Sequence, residues 1–280
     1  MPTIVSHAPS GVCDITTILI LGGTMEASAL ARALADRGIA ATLSYAGRVG
    51  RPKAQPVSIR VGGFGGVEGL ICYLRDHHIT HLVDATHPFA AAMSAHAVAA
   101  AARTGIAHIA LTRPAWVPVA GDRWRHVANV DAAIAALAGP AQRVMLALGR
   151  MHVNAFAPQP QHHYLLRFVD APESPPTLPD HHIIVNRGPF SIEDDMRLMQ
   201  DHRIDLIVCK NAGGTGAEAK LIAARRLDLP VIMIDRPALA PRREAYSVDA
   251  VMGWLDHGAV ACKGSACPTG RSAGSGWSRR

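Results

Sequence analysis

The sequence predicts an α/β protein built on parallel sheets. Between residues 17 and 257, short apolar runs alternate with helical patterns, the order expected of βαβ units. Hydrophobic residues make up 49% of the chain and aromatic residues only 5%. The apolar bulk is therefore Ala, Val, Leu and Ile, as in helices packed on a parallel sheet. Glycine-rich and charged turns follow several of the runs, at the edge where open α/β sheets take their ligands. A chain of 280 residues suffices for one large or two medium domains.

The first strand, Ile18–Leu21, leads through Gly22-Gly23-Thr24 into a helix at Glu26–Arg37 that stops at Gly38. Thr24 suits its N-cap. A second strand covers Ala40–Ser44, and a third, Val57–Val61, enters Gly62-Gly63-Phe64-Gly65-Gly66. The next helix sets Val67, Leu70, Ile71 and Leu74 on one face, at i, i+3, i+4 and i+7. A fourth strand from Ile79 ends at Asp84, and an Ala-rich helix closed by Gly105 follows Phe89. Pro88 fits that helix's first turn. The fifth strand, Ile106–Leu111, ends in Thr112-Arg113-Pro114.

In the second half, strands are expected at Val144–Leu148, Tyr164–Phe168, Ile183–Val185, Ile204–Cys209 and Val231–Ile234. Helices are expected at Val130–Ala138, Ile192–His202, Ala217–Leu227 and Val248–His257, with a proline-rich loop at Pro172–Pro179. The domain boundary is placed between Arg113 and Asp122, giving domains over residues 17–115 and 116–257. Residues 1–16 read as a loose arm and 258–280 as a disordered basic tail.

The formal net charge is +6, but Lys263, Arg271, Arg279 and Arg280 lie in the tail without an acid. The charge of the folded part therefore gives little support to a nucleic-acid partner. The five cysteines lack metal-ligand spacing, and Cys72 and Cys209 sit in apolar runs as expected of buried thiols in a reducing cytosol. No basic segment precedes the first apolar stretch, and no run is long enough to span a bilayer. A soluble cytoplasmic protein is expected. The 15 histidines show no zinc-type spacing, so no metal site is predicted.

The chemistry concentrates at strand ends. Gly22-Gly23-Thr24-Met25-Glu26 is either a tight βα turn with a capped helix or a phosphate approach at a helix N-terminus. Glu26 would repel a phosphate placed on it and suits a hydroxyl better. The second strand ends in Ser44-Tyr45-Ala46-Gly47-Arg48 with no acid. A guanidinium and a hydroxyl there favour a ribose 2′-phosphate, and so NADP over NAD, unless the loop is simply a solvated basic one. Gly63, Phe64 and Gly65 either press amides and a ring against a ligand or form a strained turn with Phe64 in the core. Asp84-Ala85-Thr86-His87-Pro88-Phe89-Ala90 packs an acid, a hydroxyl, an imidazole and an aromatic ring into one turn. It is either a site, with Asp84 orienting His87, or a capping network. Lys210-Asn211-Ala212-Gly213-Gly214 looks like an anion cradle, but its lysine precedes the glycines, unlike a P-loop. Arg48, Arg113, Arg150, Arg187, Lys210 and Arg236 all fall just past predicted strand ends. Six cations on the ligand edge imply a polyanion.

These motifs, with Arg113-Pro114-Ala115-Trp116 and in this order, resemble the precorrin-6A reductase family of the cobalamin (vitamin B12) pathway, from about Ile18 to Leu255. The resemblance implies two Rossmann-like domains with an interdomain cleft. It implies NADPH as hydride donor, a carboxylate-rich tetrapyrrole as substrate, and possible contact with other enzymes of the pathway. One double bond of precorrin-6A is reduced to give precorrin-6B. On that footing Gly22, Gly23, Thr24, Glu26, Ser44, Gly47, Arg48 and Gly63–Gly65 hold the dinucleotide. Asp84, Thr86, His87 and Phe89 border the reacting carbons, with Thr86 and His87 as catalytic candidates and His87 as proton donor. Arg113, Arg150, Arg187, Lys210, Asn211, Gly213 and Gly214 take substrate carboxylates. Ala212 stands where relatives are expected to carry Ser, so a hydroxyl contact is lost there. The alternatives are a two-domain α/β transferase using a nucleotide or phosphate donor, and a non-catalytic anion-binding protein.

Overall fold

A computed structural model describes residues 16–47, 54–168, 170–172, 174–186 and 190–261. The chain opens with β1 (Thr17–Leu21), α1 (Met25–Asp36), β2 (Ala40–Tyr45), β3 (Ser58–Val61), α2 (Gly66–Asp76), β4 (His81–Asp84), α3 (Ala91–Thr104) and β5 (Ala107–Leu111). It continues with β6 (Trp124–Val127), α4 (Val130–Ala136), β7 (Arg143–Ala147), a 3₁₀ helix at Arg150–Phe156, β8 (His163–Phe168) and β9 (His181–Val185). It closes with α5 (Ile192–Asp201), β10 (Leu206–Lys210), α6 (Ala219–Arg226), β11 (Val231–Ile234), β12 (Glu244–Ala245) and α7 (Val248–Ala261).

Two parallel six-stranded sheets result, in the orders β12-β5-β4-β1-β2-β3 and β6-β11-β10-β7-β8-β9. Both are Rossmann-like. Strand order reverses between β1 and β4 in one and between β7 and β10 in the other, and ligands bind at such reversals.

The central strands read as unbroken apolar runs because both of their faces are covered. Ile18 and Ile20 enter one apolar layer of the first sheet, while Leu19 and Leu21 enter the opposite one. In the second sheet Val144 and Leu146 face one layer and Met145 the other. Side chains alternate across a strand, so each run feeds two cores at once.

The chain crosses between the sheets twice. β6 leaves the first sheet's connection to become an edge of the second, and β12 returns from β11 to pair with β5. Helix α7 follows β12 and contributes Val251, Met252 and Leu255 to the layer that holds Leu30, Ala31 and Leu34 of α1. Residues 244–257 thus belong with the first sheet, which corrects their expected place in the second domain. Neither edge strand was predicted, since Trp124–Val127 is mostly exposed and Glu244–Ala245 has only two residues.

Smaller differences have local causes. Helix α7 runs past Gly258 to Ala261, and the segment expected to be helical from Ala217 opens with a 3₁₀ turn at Thr215–Ala217. Pro88 precedes α3, in a turn closed by Ala90 N–H to His87 O at 2.7 Å. Cys72 is exposed on α2, against expectation, and Cys209 is buried. The arm up to residue 15, the tail from residue 262, Arg48 and Arg187 lie outside the described residues. No helix among the described residues is long and apolar enough to cross a membrane.

Val251 is fully buried in the first domain's core. Val251→Ala is expected to cost about 1–3 kcal/mol, by lost burial and a residual cavity. A urea unfolding midpoint equal to the parent's would place α7 outside that core.

Candidate active site

Leu21 of β1 pairs with Asp84 of β4, so the turns after these strands lie side by side at the first reversal. Thr24 joins them. Its Oγ1 accepts the Ala27 N–H at 3.1 Å, capping α1, and donates to Ala85 O at 2.8 Å. Gly23 has φ +118°, and a Cβ there would meet nothing within 4 Å. An open backbone before a helix N-terminus fits a dinucleotide pyrophosphate. Gly22 has another reason: its Cβ would lie 2.4 Å from Leu43 Cδ1. It is a packing glycine, not a ligand approach.

Beside them, Arg60 of β3 donates to Ser44 Oγ at 3.3 Å, Gly62 O at 2.5 Å and Gly63 O at 2.7 Å. Its guanidinium lies 3.8 Å from the Phe64 ring centre, and Tyr73 meets that ring edge-on at 5.2 Å. One face of Phe64 is therefore taken by Arg60, and the ring packs against the core layer of α2. Gly47, Gly63 and Gly65 are exposed at this end of the sheet, and Ser44 is buried. Sequence reasoning passed over Arg60. Its signal was a charge inside the apolar run, two residues before the glycines.

Glu26 and Arg113 correct each other's expected roles. They pair with each other, Arg113 Nε to Glu26 Oε1 at 3.2 Å. Each carries a charge that had been reserved for a ligand.

The turn after β4 is organised from beneath. Asp84 is 3% exposed. Its Oδ1 accepts from Thr86 N at 3.1 Å and Thr86 Oγ1 at 2.7 Å. Its Oδ2 accepts from Ser94 Oγ at 2.6 Å and Arg242 Nη1 at 2.7 Å. Asp84 thus neither orients His87 nor faces a substrate, and the Thr86 hydroxyl is committed to it. A buried carboxylate has to be answered by donors. His87 and Phe89 instead project from the turn into a cavity of about 640 Å³ against the second domain.

That cavity sits at the second reversal, between the ends of β7 and β10, and Arg150 and Lys210 line it. Lys210 Nζ lies 4.9 Å from the Phe89 ring centre. The neighbouring motif is bound to the interdomain linker. Asn211 Oδ1 accepts Trp116 N–H at 2.8 Å and its Nδ2 donates to Trp116 O at 3.0 Å. A Cβ on Gly213 would lie 2.1 Å from Pro114 O, and one on Gly214 would lie 2.5 Å from Arg113 Cδ. These glycines admit the linker, and the Asn211 amide is bonded to it. Arg236 likewise donates to Asn211 O, Arg113 O and Ala212 O at 2.8–3.1 Å.

Two facing reversals therefore form the site, one with an open glycine turn and one with a cationic cavity. Residues 17–256 match the family described as Precorrin-6x reductase CbiJ/CobK. The chain belongs to this family. It is 56% identical over 247 residues to a precorrin-6A reductase of Rhodobacter capsulatus, covering 88% of this chain and 98% of that one. It is 28% identical over 234 residues to a cobalt-precorrin-6A reductase of Priestia megaterium, covering 79% and 91%. A solved structure of CobK precorrin-6A reductase superposes with a TM-score of 0.82 at 56% identity, over 87% of this chain and 97% of that one.

Within this reductase fold His87 is electrostatically disfavoured as an acid. Water in the open cleft reaches its ring, yet both domains surround it. Burial, then the charges of Arg113, Lys210 and Arg236, push its pKa down from 6.5 to about 4. Its Nδ1 accepts the Phe89 N–H at 3.2 Å, which suits a neutral ring protonated at Nε2. The neutral ring is thus favoured near neutral pH in the free protein.

Two measurements check this electrostatics. Arg242→Met leaves the Asp84 charge buried without its cation and is expected to cost about 3–5 kcal/mol. Asp84→Asn in the same chain should recover part of that loss in urea unfolding. Folding lowers the proton affinity of His87, so the unfolded chain binds the extra proton between pH 6.5 and 4. The stability contribution is complete above pH 6.5 and declines as pH falls toward 4. His87→Gln should flatten that part of the stability curve, and an unchanged slope would contradict the depressed value.

Proposed function

We propose that this chain uses NADPH to reduce one double bond of the precorrin-6A macrocycle, giving precorrin-6B. The observation that carries the reading is the 56% identity to a precorrin-6A reductase over 88% of this chain. The geometry agrees with it. The open turn at Gly23 fits a pyrophosphate, and β2 ends without the acid that NAD sites place there. Ser44 and Arg60 stand at that end instead, as a 2′-phosphate would require. The higher identity to relatives named for the cobalt-free substrate than to those named for the cobalt form favours a cobalt-free macrocycle. A cytoplasmic setting goes with this use of NADPH.

When bound, NADPH supplies the hydride, delivered to an electrophilic carbon of the ring system while a proton is added to its neighbour. The chain's residues orient the two partners. Thr24 and the amides opening α1 fix the dinucleotide at the first reversal. Arg150 and Lys210 draw substrate carboxylates to the second. His87 and Phe89 lie between, where they shape the meeting place and exclude water. A carboxylate entering opposite Lys210 offsets one of the cations that depress His87, and so raises its proton affinity in the complex.

NADPH is expected to raise the melting temperature strongly and NADH little, and NADPH should be consumed only when precorrin-6A is added. Arg60→Ala should weaken NADPH binding about tenfold or more while leaving NADH binding nearly unchanged. Absence of any NADPH shift in the parent would overturn the reading. Equal losses for both nucleotides would remove Arg60 from 2′-phosphate recognition.

A further inference from the structure

Two more cations, Arg167 of β8 and Lys220 of α6, line the cavity beyond Arg150 and Lys210. Both are withdrawn from solvent, with the Arg167 side chain 9% exposed and Lys220 4%. Arg167 Nη1 donates to Asp195 Oδ1, and its guanidinium lies 4.0 Å from the Phe190 ring centre. The other oxygen, Asp195 Oδ2, is buried without a hydrogen-bond partner. Lys220 Nζ donates to Ala217 O and lies 4.7 Å from the Trp116 ring centre.

The charges facing Lys220 differ in burial. They are Asp195, Glu218, Arg167 and the Cys209 thiol. Burial pushes that thiol up to about 11, so it supplies no anion near neutral pH. Glu218 is only partly buried, which leaves Asp195 as the one deeply buried carboxylate against two buried cations. Burial also lowers the proton affinity of Lys220, as expected for an ammonium short of counter-charge. A buried cation without a partner is costly, and an entering anion relieves it.

We propose that Arg167 and Lys220 form a dry floor that receives one carboxylate of the macrocycle, with Asp195 as the positioning residue that holds Arg167. Two buried cations that share one deeply buried carboxylate suit a carboxylate ligand. A guanidinium with one edge on Asp195 offers its remaining donors, and an ammonium has three donors to share. Phe89, Leu148, Phe168 and Phe190 supply the apolar wall for the pyrrole edge that carries the carboxylate. The inference rests on the proposed tetrapyrrole substrate and adds the group that anchors it.

Steady-state kinetics with precorrin-6A test the floor. Lys220→Met replaces the ammonium by an apolar group of similar length. It is expected to raise KM about tenfold and to change kcat by less than about threefold, with NADPH binding unchanged. The paired variant Arg167→Met, Asp195→Leu removes the ion pair together and should raise KM as well. This pair decides the matter where Lys220→Met also harms NADPH binding through misfolding. An active parent whose KM survives in the folded variants overturns the floor alone. A parent that binds NADPH but does not turn over precorrin-6A overturns the substrate reading itself.

Discussion

A single carboxylate, that of Asp84, is nearly sealed from solvent at the end of a central strand. A charge in that position is tolerable only with donors on every side. Thr86 and Ser94 supply the local ones, and the cation comes from Arg242, 158 residues away in sequence. Arg242 reaches Asp84 because the chain leaves the second sheet and returns to pair β12 with β5. The crossing, the edge strand and the shape of the His87 turn therefore form one solution to one burial problem. Arg236, at the other end of the same crossing, holds the carbonyls of Asn211, Ala212 and Arg113. One strap thus sets both walls of the cleft.

The second domain repeats the first domain's strand plan but uses its reversal differently. In the first, glycines leave space: nothing approaches a Cβ at Gly23 within 4 Å. In the second, glycines are filled by chain, with Pro114 O and Arg113 Cδ where side chains would be. The first reversal is suited to a ligand pressed against backbone. The second leaves its cavity to side chains, chiefly cations and aromatic rings. That difference fits a phosphate-bearing partner on one side and a carboxylate-bearing ring on the other.

Much of this was legible where local physics decides. The run Ile18–Leu21 reads as a strand because burial on both faces leaves no polar position. Thr24 was legible as a cap because only short oxygen side chains do that work well. The motif at Asp84 was legible as a dense turn, but its wiring was not, since the deciding partner is remote in sequence. Gly213 and Gly214 were legible as special glycines, yet the sequence is silent on whether ligand or linker comes close. Arg113 and Arg236 were correctly placed past strand ends, and only the fold shows Glu26 and backbone carbonyls claiming them. The burial of Lys220 was not legible, because a lysine in a helix usually means a solvated face, and here it is 4% exposed.

Glu26 shows how far the two domains depend on each other. An acid in the first turn of α1 suits the helix dipole but opposes a phosphate at the same turn. Arg113 resolves the conflict by pairing with Glu26 from the linker at 3.2 Å. Its path is kept open by Gly214, where any side chain would strike it. Met25 of the same turn lies close over Gly216, its Cε 3.1 Å from where a Cβ would stand. The charge environment of the α1 turn is thus set partly by the interdomain linker. The cleft and the turn that opens α1 accordingly depend on one linker, although each has its own sheet.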